Sequence, residues 1–224
     1  MTFSIIARCR ETGQFGAAIS SSSPAVASRC IRARAGIGVA ASQNVTDPQL
    51  ANVLLDLVKY DLTPKQALAE LQNSTEFIAY RQLAVLNATD EPAAFSGVHT
   101  LGVFHTSVGK DAVCSGNLLA APSVTDTMLA AFDAATGVLA ERLMAAMQAG
   151  VAAGGEAGPV HSAGLMVVDK MPWPVVDLRV DWAEQDPIAE LYAAWKVYEP
   201  QMVSYVQRAL NPTLAPSYGV PGDL

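Results

Sequence analysis

Two hydrophobic periods alternate along the chain. Near-continuous apolar runs at residues 2–10 and 15–22 flank Glu11-Thr12-Gly13-Gln14, and this order predicts a β-hairpin that begins at Thr2. A small, apolar run over 35–41 predicts a strand covered on both faces. Asp47-Pro48 then supplies an N-cap with proline at the first helical position, and Leu50, Val53, Leu54, Leu57 and Val58 follow at helical spacing. Thr63-Pro64 starts a second helix with Ala67, Leu68 and Leu71 on one face. Strands are expected over 82–87, 93–96, 100–105 and 112–115, and then one long helix over 123–148, its apolar face carried by Met128, Phe132, Leu139, Leu143 and Met147. The segment AAGGEAGP ends that helix. Strands over 162–168 and 175–180 come next, and Asp186-Pro187 opens a last helix with Ile188, Leu191, Trp195 and Tyr198 inward. Residues 211–224, NPTLAPSYGVPGDL, fit neither period and are expected to form an extended Pro/Gly-rich arm.

Strands joined by short turns imply antiparallel sheets, and two packed sheets with helices outside satisfy this element order. The reading is an α+β fold, one domain over 1–210 with the arm at 211–224. At 224 residues with 51% hydrophobic and 16% charged positions, the chain can build a large core without staples.

Charge and cysteine content narrow the chemistry. A net charge of −7 without any lysine or arginine run argues against nucleic acid as a partner. Cys9, Cys30 and Cys114 have no CxxC spacing, and His99, His105 and His161 form no metal-binding pattern with them, so neither metal nor cofactor is expected. The apolar stretches predict neither signal peptide nor membrane span, and a cytoplasmic protein is expected. Cys9 and Cys30 read as packing, His99 and His105 as surface or core histidines. Asp177, Arg179 and Asp181 share a strand face and read as an ion pair or a subunit contact more than as a catalytic group.

Along its whole length the chain resembles the bacterial domain of unknown function 1028 family, through MTFSIIAR, SSSPAVASRC, RARAGIGVAASQNVTDP, YRQLAVL, SGNLLA, HSAGLMVVD, VDLRVD and LNPTLAPSYGVPGD. That family is similar to the N-terminal-nucleophile (Ntn) hydrolases, whose αββα fold stacks two antiparallel sheets between helix layers. The resemblance implies that removal of Met1 exposes Thr2. Its hydroxyl would attack the carbonyl of a small-molecule amide, and its α-amine, with a pKa near ~8, would be the base within reach. Without the resemblance, Thr2 reads first as a β-branched residue opening a strand.

Further roles follow from the resemblance alone. Ser115 and Asn117 would flank the nucleophile in a Ser-Gly-Asn turn, His161 and Ser162 would open a later strand beside it, and Ser42, Gln43 and Asn44 would hold the oxyanion. Arg29, with Arg32 and Arg34 as rivals, would be the basic neighbour. Departures accompany these matches: Pro159 and Val160 stand where an acid is expected, Ser20 to Ser23 replace the acid ending the second strand, and Glu156 is the nearest carboxylate. A chain lacking those acids fits an alternative, a ligand-binding or assembly protein that keeps the fold without the chemistry. The tail residues Leu214, Tyr218 and Val220 suggest a clasp on a second copy and hence a homodimer.

Overall fold

The opening hairpin forms as its pattern requires: β1 (Thr2–Arg8) and β2 (Phe15–Ser21) pair antiparallel in a computed structural model that describes residues 2–220. Gly13, at φ +77, closes the turn and donates its N–H to Cys9 O. A short helix, α1 (Val26–Cys30), leads into β3 (Ile31–Arg34) and β4 (Gly38–Asn44). Here the single strand expected over 35–41 is instead a hairpin. Gly36 takes φ +70 and turns the chain between Arg34 and Gly38, a bend that an apolar run of small residues conceals from a periodicity argument.

The helices α2 (Pro48–Lys59) and α3 (Pro64–Ser74) start at the expected caps. Asp47 Oδ1 accepts the Gln49 N–H at 3.0 Å, and Thr63 and Gln66 form a reciprocal capping box. β5 (Arg81–Asn87), β6 (Ala93–Ser96), β7 (His105–Val108) and β8 (Ala112–Asn117) follow. The strand expected over 100–105 is irregular chain up to His105. Its backbone is held from the side, Leu101 O and Val103 O accepting from the N–H groups of Leu118 and Leu119.

The long helix expected over 123–148 is two, α4 (Ser123–Ala134) and α5 (Leu139–Ala152), broken where Gly137 adopts φ +96. β9 (Ser162–Val168) and β10 (Pro174–Val180) precede α6 (Pro187–Tyr198), capped by Asp186. A turn holding Pro200 separates α6 from α7 (Met202–Leu210). The arm begins with an Asn211-capped turn at Pro212–Leu214, and its last four positions, 221–224, lie outside the described residues.

All pairings are antiparallel, in a six-stranded sheet of order β10-β9-β2-β1-β8-β7 and a four-stranded sheet of order β3-β4-β5-β6. Apolar side chains gather in three groups. Phe3, Ile5, Ala18 and Leu165 of the large sheet meet Met128, Phe132, Leu143, Met147, Leu191 and Trp195 from α4, α5 and α6. Ile6, Phe15, Ala17 and Ile19 meet Val39, Ala41, Ala84 and Leu86 of the small sheet. Ala40, Leu83 and Val85 meet Leu50, Leu54 and Leu68 from α2 and α3. The inner strands therefore alternate between two buried faces, which is why they read as continuous apolar runs.

Candidate functional site

Strand parity decides which polar side chains meet. On β1, Phe3, Ile5 and Ala7 face the helices, so Ile6 faces the small sheet, and Thr2 and Ser4 must face it too. The same alternation turns Ser21 of β2, Ser115 and Asn117 of β8, and Ser162 of β9 toward the small sheet, with Gln43 of β4 and Gln82 of β5 facing them. The apolar layer between the sheets thus gives way to a polar one at the Thr2 end. All eight side chains are buried.

They are closely bonded. Ser4 Oγ donates to Gln43 Oε1 (2.7 Å), and Gln43 Nε2 and Asn117 Nδ2 both donate to Gln82 Oε1 (2.8 and 3.1 Å). Gln82 Nε2 donates to Gly116 O (3.0 Å) and to Ser96 Oγ (3.1 Å). Thr2 Oγ1 and Ser21 Oγ share a hydrogen bond of 3.3 Å. Ser21 Oγ in turn meets Ser23 Oγ at 2.9 Å, and Arg29 Nη2 donates to Ser23 Oγ at 2.9 Å. A hydroxyl chain therefore runs from Thr2 to the Arg29 guanidinium.

The other arginines point elsewhere: Arg34 pairs with Asp56, and Arg32 donates to the Ile31 carbonyl. Ser115 lies opposite Ser4 and accepts from Thr106 Oγ1. Asn117 lies directly opposite Thr2.

Three residues expected at the site have their side chains occupied outside it, and a fourth, Ser162, is engaged at its margin. Ser162 Oγ donates to Ser23 O (2.6 Å) and accepts the Val26 N–H, fastening the β2–α1 loop. His161 gives its backbone N–H to Ser21 O, but its ring stacks on Trp182 and Nδ1 donates to Ala183 O (2.8 Å). Ser42 lies on the α2 side of β4 and donates to Asp47 O, because one residue along a strand reverses the face. Asn44, at φ +76, donates to Tyr80 O and accepts the Leu101 N–H, holding the 97–104 loop. Of the three positions expected around the oxyanion, only Gln43 sends its side chain between the sheets. Asp177, Arg179 and Asp181 lie on or beside the edge strand β10, away from this group.

Sequence reasoning passed over Ser4, Ser21 and Gln82 as binding partners and reached Glu156 only as the nearest acid. A glutamine alternating with Ala84 and Leu86 in an otherwise apolar strand was the available signal for Gln82. Glu156 is the single charge in a segment of small residues, and its place is set by tertiary contacts. Its backbone bridges Leu119 just beyond β8, and its Oε2 accepts the Ser22 N–H at 3.3 Å just beyond β2. The residue is 6% exposed, and burial pushes its carboxyl up to about 7, against weaker pulls from the N-terminal ammonium and from that N–H. Oε1 is buried and has no hydrogen-bond partner. Glu156 also lines a cleft of about 270 Å³ with Phe3, Val151, Pro159, Val160 and Asp186.

The opposite end of β1 is built differently. Arg8 is buried and donates to Asp111 Oδ1 and to the carbonyls of Asn87, Asp90 and Lys110, beside a cleft of about 500 Å³. The seven-residue strand from Thr2 to Arg8 sets its two ends roughly 20 Å apart. Cys30 and Cys114 are buried, which raises both thiols. Among the described residues no three His, Cys, Asp or Glu side chains gather as metal ligands, and no helix is long and apolar enough to cross a membrane.

Fold and site together define an α+β protein with two antiparallel sheets and a buried hydroxyl and amide network where the first strand starts between them. The chain belongs to the family of unknown function DUF1028, whose pattern matches residues 2–191. It is similar to protein SPO2555 from Silicibacter pomeroyi, a DUF1028 structure, at 29% identity over 88% of each chain with a TM-score of 0.82. Anbu, an ancestral beta-subunit from Yersinia bercovieri, aligns over 92% of this chain and 97% of its own at 10% identity, with a TM-score of only 0.40. Comparison with curated proteins finds no match.

Proposed function

We propose that the chain is an Ntn-type amidohydrolase on a four-layer αββα sandwich, cleaving a small-molecule amide with Thr2 after removal of Met1. The observation that carries this reading is the position of the Thr2 hydroxyl, on the inter-sheet face at the very start of the inner strand β1, hydrogen-bonded to Ser21. The succession of helices, large sheet, small sheet and helices around three apolar groups supports the sandwich.

In this mechanism the free α-amine takes the proton from Thr2 Oγ1 as the oxygen attacks the amide carbonyl. The tetrahedral oxyanion is met by N–H donors, of which Asn117 Nδ2 and Gln43 Nε2 are the side-chain candidates, both given to Gln82 Oε1 in the resting arrangement. Collapse breaks the C–N bond and the departing amine takes the proton. Water, deprotonated by the same α-amine, then hydrolyses the ester on Thr2.

The test uses protein beginning at Thr2 and a β-lactone electrophile. A single adduct on the Thr2 peptide is expected, absent in Thr2→Ala, and amide turnover by that variant should fall by at least ~10³-fold. Adduct formation and turnover unchanged in Thr2→Ala would overturn the proposal. One observation favours the second reading, a binding or assembly protein: Thr2 is only 5% exposed. That reading expects ligand binding with no adduct at Thr2.

A further inference from the structure

The two buried side-chain acceptors without a partner among the described residues, Asn117 Oδ1 and Glu156 Oε1, both lie at the start of β1. An unsatisfied buried acceptor costs free energy, and native structures leave few of them. Two on either side of one strand end call for a donor there.

Register locates the missing donor. Thr2 lies opposite Asn117 in the β1–β8 pair, and the β1–β2 pair, Phe3 opposite Ser20, continues to Thr2 beside Ser21. The next residues outward on the two neighbouring strands are Leu118 and Ser22. Glu156 is bound to both sides: Ala157 donates its N–H to Leu118 O, Glu156 bridges Leu119, and Glu156 Oε2 accepts from Ser22 N–H. Glu156 thereby connects the two strands that flank the start of β1, and Asn117 lies opposite Thr2 on the paired strand.

A Thr2 nitrogen in a peptide bond has one N–H to give. As a free α-ammonium it has three, and a positive charge. The gain of two donors equals the number of orphaned acceptors.

We propose that Glu156 and Asn117 form the seat of the Thr2 α-ammonium, Glu156 as its counter-ion and Asn117 Oδ1 as a second acceptor, so that removal of Met1 completes the site. This inference rests on the reading of Thr2 as a processed N-terminus, and both residues act as positioning residues, orienting the α-amine toward Thr2 Oγ1. The other charged side chain lining the Glu156 cleft, Asp186, has its Oδ1 engaged by the N–H groups of Ile188 and Ala189. Arg29 is directed to Ser23 Oγ and Pro24 O. Glu156 is therefore the carboxyl left to answer the ammonium.

The experiment titrates the α-amine of the full chain beginning at residue 2, by NMR of isotopically labelled threonine in the wild type and Glu156→Gln and of labelled alanine in Thr2→Ala. Loss of the counter-ion should make the α-amine bind its proton about tenfold more weakly in Glu156→Gln. The acid limb of the β-lactone reaction should move down in pH by the same amount. An α-amine that titrates alike in wild type and Glu156→Gln overturns the seat.

Thr2→Ala keeps the α-amine and should titrate like the wild type while forming no adduct. A failed nucleophile and a failed seat are thus told apart. Should Glu156→Gln not fold, thermal unfolding of the wild type with and without Met1 decides the matter. The Thr2-start chain is expected to melt a few degrees higher, and equal melting points overturn the seat.

Discussion

Single side chains at the two ends of β1 carry opposite electrostatic problems. Arg8 is a buried cation with four acceptors around it, so replacing it strands three carbonyls and leaves the Asp111 carboxylate to Arg10 alone. Arg8→Met should cost about 3–5 kcal/mol, measured by denaturant unfolding. Glu156 is a buried acid held at about 7 against its ordinary 4.5. A folded-state pKa raised for an acid means that the native chain binds the extra proton between those values, so stability declines as pH rises from about 4.5 to about 7. In the chain that retains Met1 this decline amounts to at most about 3 kcal/mol, and Glu156→Gln should remove it, as melting curves at pH 4.5 and 7.5 would show. That Thr2, Ser115, Asn117 and Gln43 belong together was legible through motifs, and the fold does bring them to one layer between the sheets. Glu156 was not assigned a role, because its partners Ser22 and Leu119 lie far from it in sequence and only the folded sheet brings them together.

The elements follow their local signals most faithfully where capping chemistry marks them. Asp47, Thr63 and Asp186 each cap the helix that their side chains announce, and Asp186→Ala should cost about 1 kcal/mol of stability. Strand boundaries were less legible. The turn at Gly36 and the break at Gly137 are exposed and fall in stretches of mostly small and apolar residues, where hydrophobic period marks no boundary. Gly38 shows the constraint from packing: a Cβ there would lie 2.3 Å from Leu86 O on β5. Gly38→Ala should therefore push β4 from β5 and lower stability by about 1–3 kcal/mol or more, with the slope of the denaturant curve unchanged.

At the scale of the molecule, α7 and the arm contrast with the layered body. No residue of α7 is fully buried, and Val203, Leu210, Leu214 and Tyr218 are exposed, with Arg208 stacked over the Tyr218 ring. If the homodimer expected from the sequence forms through this surface, light scattering gives twice the 23.5 kDa chain mass, and a chain ending at residue 201 gives one chain mass. Equal monomer masses for both remove that expectation. The order of strands and helices, most caps and the presence of two antiparallel sheets were determined by the sequence itself, because hydrophobic period and turn chemistry act over a few residues. Which hydroxyls and amides meet was decided only by the tertiary structure. A one-residue change of register sends Ser42 to α2 and Gln43 to the inter-sheet layer, and the packing of two sheets, absent from any local stretch, sets a lone glutamate across the end of the first strand.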